Sequence, residues 1–340
     1  MLFGGSGDRF AYALSNRGKE IGASVLRIPA FRFQDFRLEK DKKDDDHILL
    51  TEVFTESPEL FQKVEVRDRD IIRVRLAVEA RTDAMKARMA CGQRLRQRFI
   101  GRVFLNPEGH YPEGSLEDVY AEAEANDATF QALLDEEKKC AKELEKAVQE
   151  LDIWKRFFRD LEGAGPVIAG EIIAAVGDIR RFENEARLKR YLSVHVCWGG
   201  EYGDENPTNR QFPRRRGGQV ANWSGEGRQA LYKFADQWNR RPDSEWGQKL
   251  REYKVKFRER HPDVVVEDGK KRYTDGHIHK MAIWRTITKF VEALFKAWWR
   301  IEREAAGETK STPPPQVPST PPPTRNHAPG NRRGARGGLT

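Results

Sequence analysis

The chain has 340 residues, with 61 Lys and Arg against 53 Asp and Glu, a net charge of +8. That length allows two or three domains with cores of their own, and the basic excess suits a polyanionic partner. Cys91, Cys140 and Cys197 stand far apart without CxxC or Cys/His spacing, which argues against a disulfide framework or structural zinc and fits a reducing cytoplasm. No charged stretch leads into an apolar one at the N-terminus, and no apolar run reaches the roughly 18 residues of a membrane helix, so neither a signal peptide nor a span is expected.

Residues 1–66 read as mixed α/β. Asp8 to Gly18 predicts a short helix with Phe10, Ala11 and Leu14 on one face. Ala23 to Ile28 is a short β-prone run stopped by Pro29. Arg37 to Phe54 reads as helix again and carries the acidic cluster Asp44, Asp45 and Asp46. The plain reading of that cluster is a solvated helix face.

From Arg67 the pattern changes. Ile71, Val74, Val78, Met85, Leu95 and Phe99 recur at helical steps, predicting one long amphipathic helix to about residue 100. Its polar faces hold a run of basic residues that includes Arg94, Arg96 and Arg98. Asn106-Pro107 and the Pro112 to Gly114 stretch break it. A second long helix is expected from the near-heptad spacing of Phe130, Leu134, Ala141, Leu144, Val148, Leu151 and Phe158. The two make either an antiparallel hairpin over residues 67–160 or a dimerising coiled coil. The basic stripe on the first adds a possible track for nucleic acid.

Leu161 to Phe182 reads as helix, Gly-x-Gly hairpin, helix. Gly163 and Gly165 tolerate backbone angles other residues resist and let a phosphate approach, Pro166 suits a first helical turn, and that turn offers free N–H groups to an anion. A helix-hairpin-helix of this kind grips a nucleic-acid backbone without reading sequence. Beyond it lies a glycine-rich charged loop with Arg214, Arg215 and Arg216, three adjacent guanidiniums suited to phosphate. Ser224 reads as the N-cap of a helix through Trp238, and a further helix runs from Ser244 to Glu259. The last helix, Ile278 to Glu302, sets Trp284, Ile287, Val291, Leu294 and Trp298 on one face, read as core. His277 and His279, lacking a third ligand nearby, read as a surface pair rather than a metal site. The Pro- and Arg-rich tail, residues 306–340, is expected to be disordered.

The hairpin at 161–182 and the Arg187 to Leu192 helix after it resemble the C-terminal domain of a bacterial and archaeal transposase family. That family joins a RuvC-like DEDD nuclease domain, of RNase H type, to a serine-bearing transposase domain, and its members are bridge-RNA-guided recombinases of insertion sequences. Leu38 to Leu50 is similar to the family's Lys-Thr-Asp-x-x-Asp-Ala helix, Arg94 to Arg98 to its coiled-coil Asn-Arg-Leu-Arg segment, and Ser224 to Leu231 to its Ser-Lys-x-Gly helix start. Together they cover roughly residues 8–305.

The resemblance implies a mainly α fold: a partial RuvC-like α/β unit over 1–66, a long antiparallel coiled-coil hairpin, and a helical C-terminal domain with the helix-hairpin-helix over 161–305. It implies DNA as partner, a structured guide RNA, a homodimer or higher oligomer through the coiled coil, a prokaryotic cytoplasm, and Mg²⁺ held by carboxylates. Ungapped matching puts Asp46 on the last of the family's four carboxylates. Lys43 stands where the third is expected, and a local slip lets Asp41 or Asp44 serve. The first two fall before the segment at Gly4 to Phe10, so the chain reads as an N-terminally truncated member. No serine stands where the family's nucleophile falls, near Glu201; Ser224 matches a different family serine and is the weak alternative. Two functions follow: a transposase or recombinase, or a non-catalytic nucleic-acid-binding coiled-coil protein derived from one.

Overall fold

The computed structural model describes residues 1–4, 8–28, 33, 36, 43–64, 66–105, 115–198, 210–211, 223–267 and 269–307. The fold is mainly α, with few strands. Two cores of unequal size divide it.

The smaller unit is α/β. Strand β1 (Leu2–Gly4) pairs in parallel with β2 (Leu26–Ile28), and β2 pairs antiparallel with β3 (Gln62–Lys63). Helix α1 (Asp8–Glu20) connects the first two strands, and helix α2 (Asp46–Glu56) follows a 3₁₀ turn at Lys43–Asp45. Ile28, Phe33, Val53 and Phe61 form the core of this unit. Phe10, expected on a packed face of α1, is 69% exposed instead. The helix expected from Arg37 begins at Asp46; residues 37–42 lie outside the described residues.

Helix α3 (Val66–Phe104) is the long helix expected from Arg67. Helix α4 (Leu116–Asn126) comes next and was not expected. The second expected helix, read over Phe130 to Phe158, is α5 (Ala128–Gln149), which stops short of that range and is followed by a π-helical turn at Trp154–Phe158. The Asp127 carboxylate accepts the Phe130 N–H and caps the start of α5. Because Leu144, Val148, Leu151 and Phe158 are all buried, the apolar spacing gave no sign of the end at Gln149.

Helices α3 and α5 run antiparallel within the chain. Arg73 meets Glu150, Arg88 meets Glu137, and Arg96 meets Glu117, so sequence order reverses along the pair. Of the two arrangements the spacing allowed, the intramolecular hairpin is the one formed.

The larger core joins this hairpin to the C-terminal helices: α6 (Pro166–Val176), α7 (Glu185–Tyr191), α8 (Gly225–Arg240), α9 (Glu245–Arg260) and α10 (Asp275–Ala305). The expected core face of α10 is buried at Ile287, Val291, Leu294 and Trp298, but Trp284 is only half-buried. Glycines allow the helices to approach. A Cβ at Gly170 would lie 2.9 Å from Val148 Cγ2, and one at Gly227 would lie 2.6 Å from Leu192 Cδ2. Two short antiparallel pairs complete the structure: β4 (Cys197–Trp198) with β5 (Arg210–Gln211), and β6 (Val265–Glu267) with β7 (Lys270–Arg272).

Candidate nucleic-acid interface

The basic residues of α3 divide into two groups. On the half that packs against α5 and α6, the guanidiniums are neutralised inside the chain. Arg81 lies 3.7 Å from Glu137 and 3.5 Å from Glu171, Arg88 donates to Glu137 at 2.5 Å, and Lys233 of α8 closes the network on Glu171 at 2.8 Å. Arg180 is spent in the same way. Burial opposes its charge, but hydrogen bonds to Asp178 and Asp68 outweigh that and raise its pKa further.

The distal half differs. Arg94, Arg98 and Arg102 are exposed, follow one another at four-residue steps along one helix face, and form no ion pair among the described residues. At about 1.5 Å per residue their Cα atoms are spaced about 6 Å apart. Arg96, named with Arg94 and Arg98 from sequence, is different: it donates to Glu117 at 2.5 Å and lies over the Tyr120 ring. Arg102 was missed because the helix was expected to end near residue 100. The step from Arg94 to Arg98, extended once, would have found it.

The hairpin at 161–182 is a second cationic feature. Gly163 has φ +84, the left-handed region that glycine serves, so a tight turn does precede α6. The two glycines are not equivalent, however. A Cβ at Gly163 would sit 2.8 Å from Gln237 Cβ, so α8 already covers that glycine, whereas nothing lies within 4 Å of a Cβ at Gly165. Gly165 precedes Pro166, the first residue of α6, so the open glycine is the one at the helix N-terminus. Arg241, exposed and without a carboxylate partner among the described residues, stands beside this turn. Its Nη1 lies 3.5 Å from the Gly163 Cβ position and donates to Gln237 at 2.7 Å. No sequence pattern pointed to Arg241, since it reaches the turn only because α8 packs there.

Comparison with protein-family models and with curated proteins finds no match.

The residues matched to chemistry have local employment. Ser224 Oγ accepts the Gly227 N–H at 3.0 Å, the expected N-cap of α8. Ser193 is fully buried at φ +57, and its Oγ accepts from Arg228 at 2.7 Å. Asp44 is exposed in the 3₁₀ turn, where its carbonyl accepts from His47 Nδ1 at 2.9 Å, and Asp46 is half-buried in the first turn of α2. Among the described residues no three His, Cys, Asp or Glu side chains converge where they could hold a metal ion. Of the carboxylates expected to hold Mg²⁺, Asp44 and Asp46 are described and Asp41 lies outside the described residues. His277 Nδ1 accepts the Tyr273 N–H at 3.0 Å, while burial and then Lys254 depress the His279 pKa. Arg214, Arg215 and Arg216, and the loop around Glu201, lie outside the described residues. No helix of the described residues is long and apolar enough to cross a membrane.

Proposed function

We propose that this chain binds the sugar–phosphate backbone of nucleic acid, as a protein of the insertion-sequence transposase or recombinase type. The observation that carries the reading is the exposed Arg94–Arg98–Arg102 stripe, without carboxylate partners among the described residues. Phosphates are the natural complement of such a row, because each guanidinium offers a fork of donors to two anionic oxygens. The open Gly165 turn at the α6 N-terminus, with Arg241 beside it, supports a second contact of the same kind. Both features address backbone rather than base edges, so duplex DNA and structured RNA, including a guide RNA, are alike eligible. The seam between α3 and α5 is filled within the chain, so a homodimer would use another face.

A non-catalytic binding protein derived from such a transposase is the second reading. Ser224 favours it, because its hydroxyl serves as a helix cap. We derive no Mg²⁺-dependent step from Asp44 and Asp46.

The test is the affinity of the full chain for a labelled duplex across a salt series. Phosphate contacts release counterions, so log Kd should rise steeply and linearly with log salt. A flat salt response, or no binding at low salt, overturns the proposal.

A further inference from the structure

The buried positions of α8 are Gly227, Ala230, Leu231, Phe234, Ala235 and Trp238, a regular three- and four-residue repeat. Tyr232 is off that repeat and remains 43% exposed. On α10 the core runs through Ile283, Ile287, Phe290 and Val291, and Trp284, one turn before Ile287 on that face, is half-buried against it. The two aromatics meet: their ring centroids are 5.8 Å apart with planes inclined at 37°. Arg228, one turn before Tyr232, lays its guanidinium 4.3 Å from the centre of the Trp284 ring. It is held there by hydrogen bonds to the Ser193 carbonyl at 3.2 Å and the Ser193 hydroxyl at 2.7 Å. That contact fixes one face of the indole and leaves Tyr232 as the ring open to solvent. The Tyr232 hydroxyl makes no hydrogen bond among the described residues. Lys280, exposed and one turn before Trp284, adds a cation on the same side of α10.

Such a cluster has a recognisable complement. An exposed ring backed by a second ring and flanked by cations presents a flat π surface beside positive charge. A paired base inside a duplex cannot reach it, because both of its faces are stacked. An unpaired base can, with its own phosphates falling towards the cations. Trp284 packs partly against the main core, whereas Tyr232 keeps 43% of its surface exposed beside it.

We propose that Tyr232, backed by Trp284, is a stacking platform for an unpaired base of a single-stranded nucleic acid, with Arg228 and Lys280 at its rim. The proposal rests on the nucleic-acid-binding reading above and narrows it: one surface takes backbone, and this one takes a base. It applies equally to single-stranded DNA and RNA, whose bases offer the same π face.

The experiment measures affinities of the full chain for an oligothymidylate and an oligouridylate of about 10 nucleotides, and for a duplex of the same length. Tyr232→Ala should weaken single-strand binding roughly tenfold, in whichever strand the wild type binds, and leave duplex binding unchanged. Tyr232→Phe, which keeps the ring, should bind like wild type. Three results overturn the platform: single-strand affinity unchanged in Tyr232→Ala, equal weakening of single strand and duplex, or a loss in Tyr232→Phe as large as in Tyr232→Ala. Failure of the wild type to bind any of the three probes overturns the binding reading itself, and so is distinct from failure of the platform alone.

Discussion

The two halves of α3 carry the same residue type under opposite conditions. Arg81 and Arg88 lie against the rest of the molecule, Arg73 is exposed, and each meets a carboxylate on or at the end of a neighbouring helix. Arg94, Arg98 and Arg102 continue the same helix and meet none among the described residues. Like charges four residues apart cost a helix about 0.2–0.5 kcal/mol per pair. In the first half, the named arginines stand eight and seven residues apart and each meets an acid of the chain, so they serve assembly. In the second half, that cost is offset by no carboxylate among the described residues. Arginine content therefore says little about binding; what matters is whether the fold supplies the counter-charge.

Substitutions can separate the two roles. The largest effect is expected from wedging the packed half apart. In Gly170→Val the new side chain must displace Val148 and Leu144, whose atoms lie 2.9 and 3.0 Å from the Cβ position, and stability should fall by about 2–3 kcal/mol in urea unfolding. A loss below about 0.5 kcal/mol would mean that α5 and α6 are not held this closely. Next comes Glu137→Ala. The Glu137 side chain is 13% exposed, and its partners Arg81 and Arg88 are 18% and 27% exposed, so their charges are left poorly solvated. About 2 kcal/mol of stability should go, between the surface and buried limits for ion pairs. Nucleic-acid affinity of the folded fraction should stay the same; a parallel drop in affinity would merge the two halves into one surface. The smallest effect is that of Ser224→Ala, which removes a helix cap and should cost about 1 kcal/mol in the same unfolding assay. Stability equal to wild type would free Ser224 from the capping role.

Much of the helical frame was legible in the sequence, because apolar spacing and caps are local signals. The run from Arg67 became α3, and Ser224 and Ser244 each cap the helix expected after them, accepting from Gly227 and Gly247. The end of α5 at Gln149 was hidden, since the buried Leu151 and Phe158 beyond it continue the apolar spacing. The site was less legible. Which arginines are neutralised depends on Glu137, Glu150 and Glu171, all distant in sequence, and only the packed structure pairs them. For the same reason Arg96 separates from Arg94 and Arg98, and Gly163 turns out covered while Gly165 is open. Arg241 and the Tyr232–Trp284 pair carried no local signature, because each contact joins elements from different parts of the chain.

The central claim is that the distal arginines, and not the proximal ones, meet phosphate. The salt dependence of duplex affinity for the Arg94→Ala/Arg98→Ala/Arg102→Ala variant, set against wild type and Arg73→Ala, tests it directly. If each distal guanidinium holds one phosphate, the log–log salt slope should become shallower by roughly 2 to 3. Helicity should be unchanged, and Arg73→Ala should keep the wild-type slope. A triple variant with the wild-type slope, or an Arg73→Ala slope as shallow as that of the triple variant, would contradict the account.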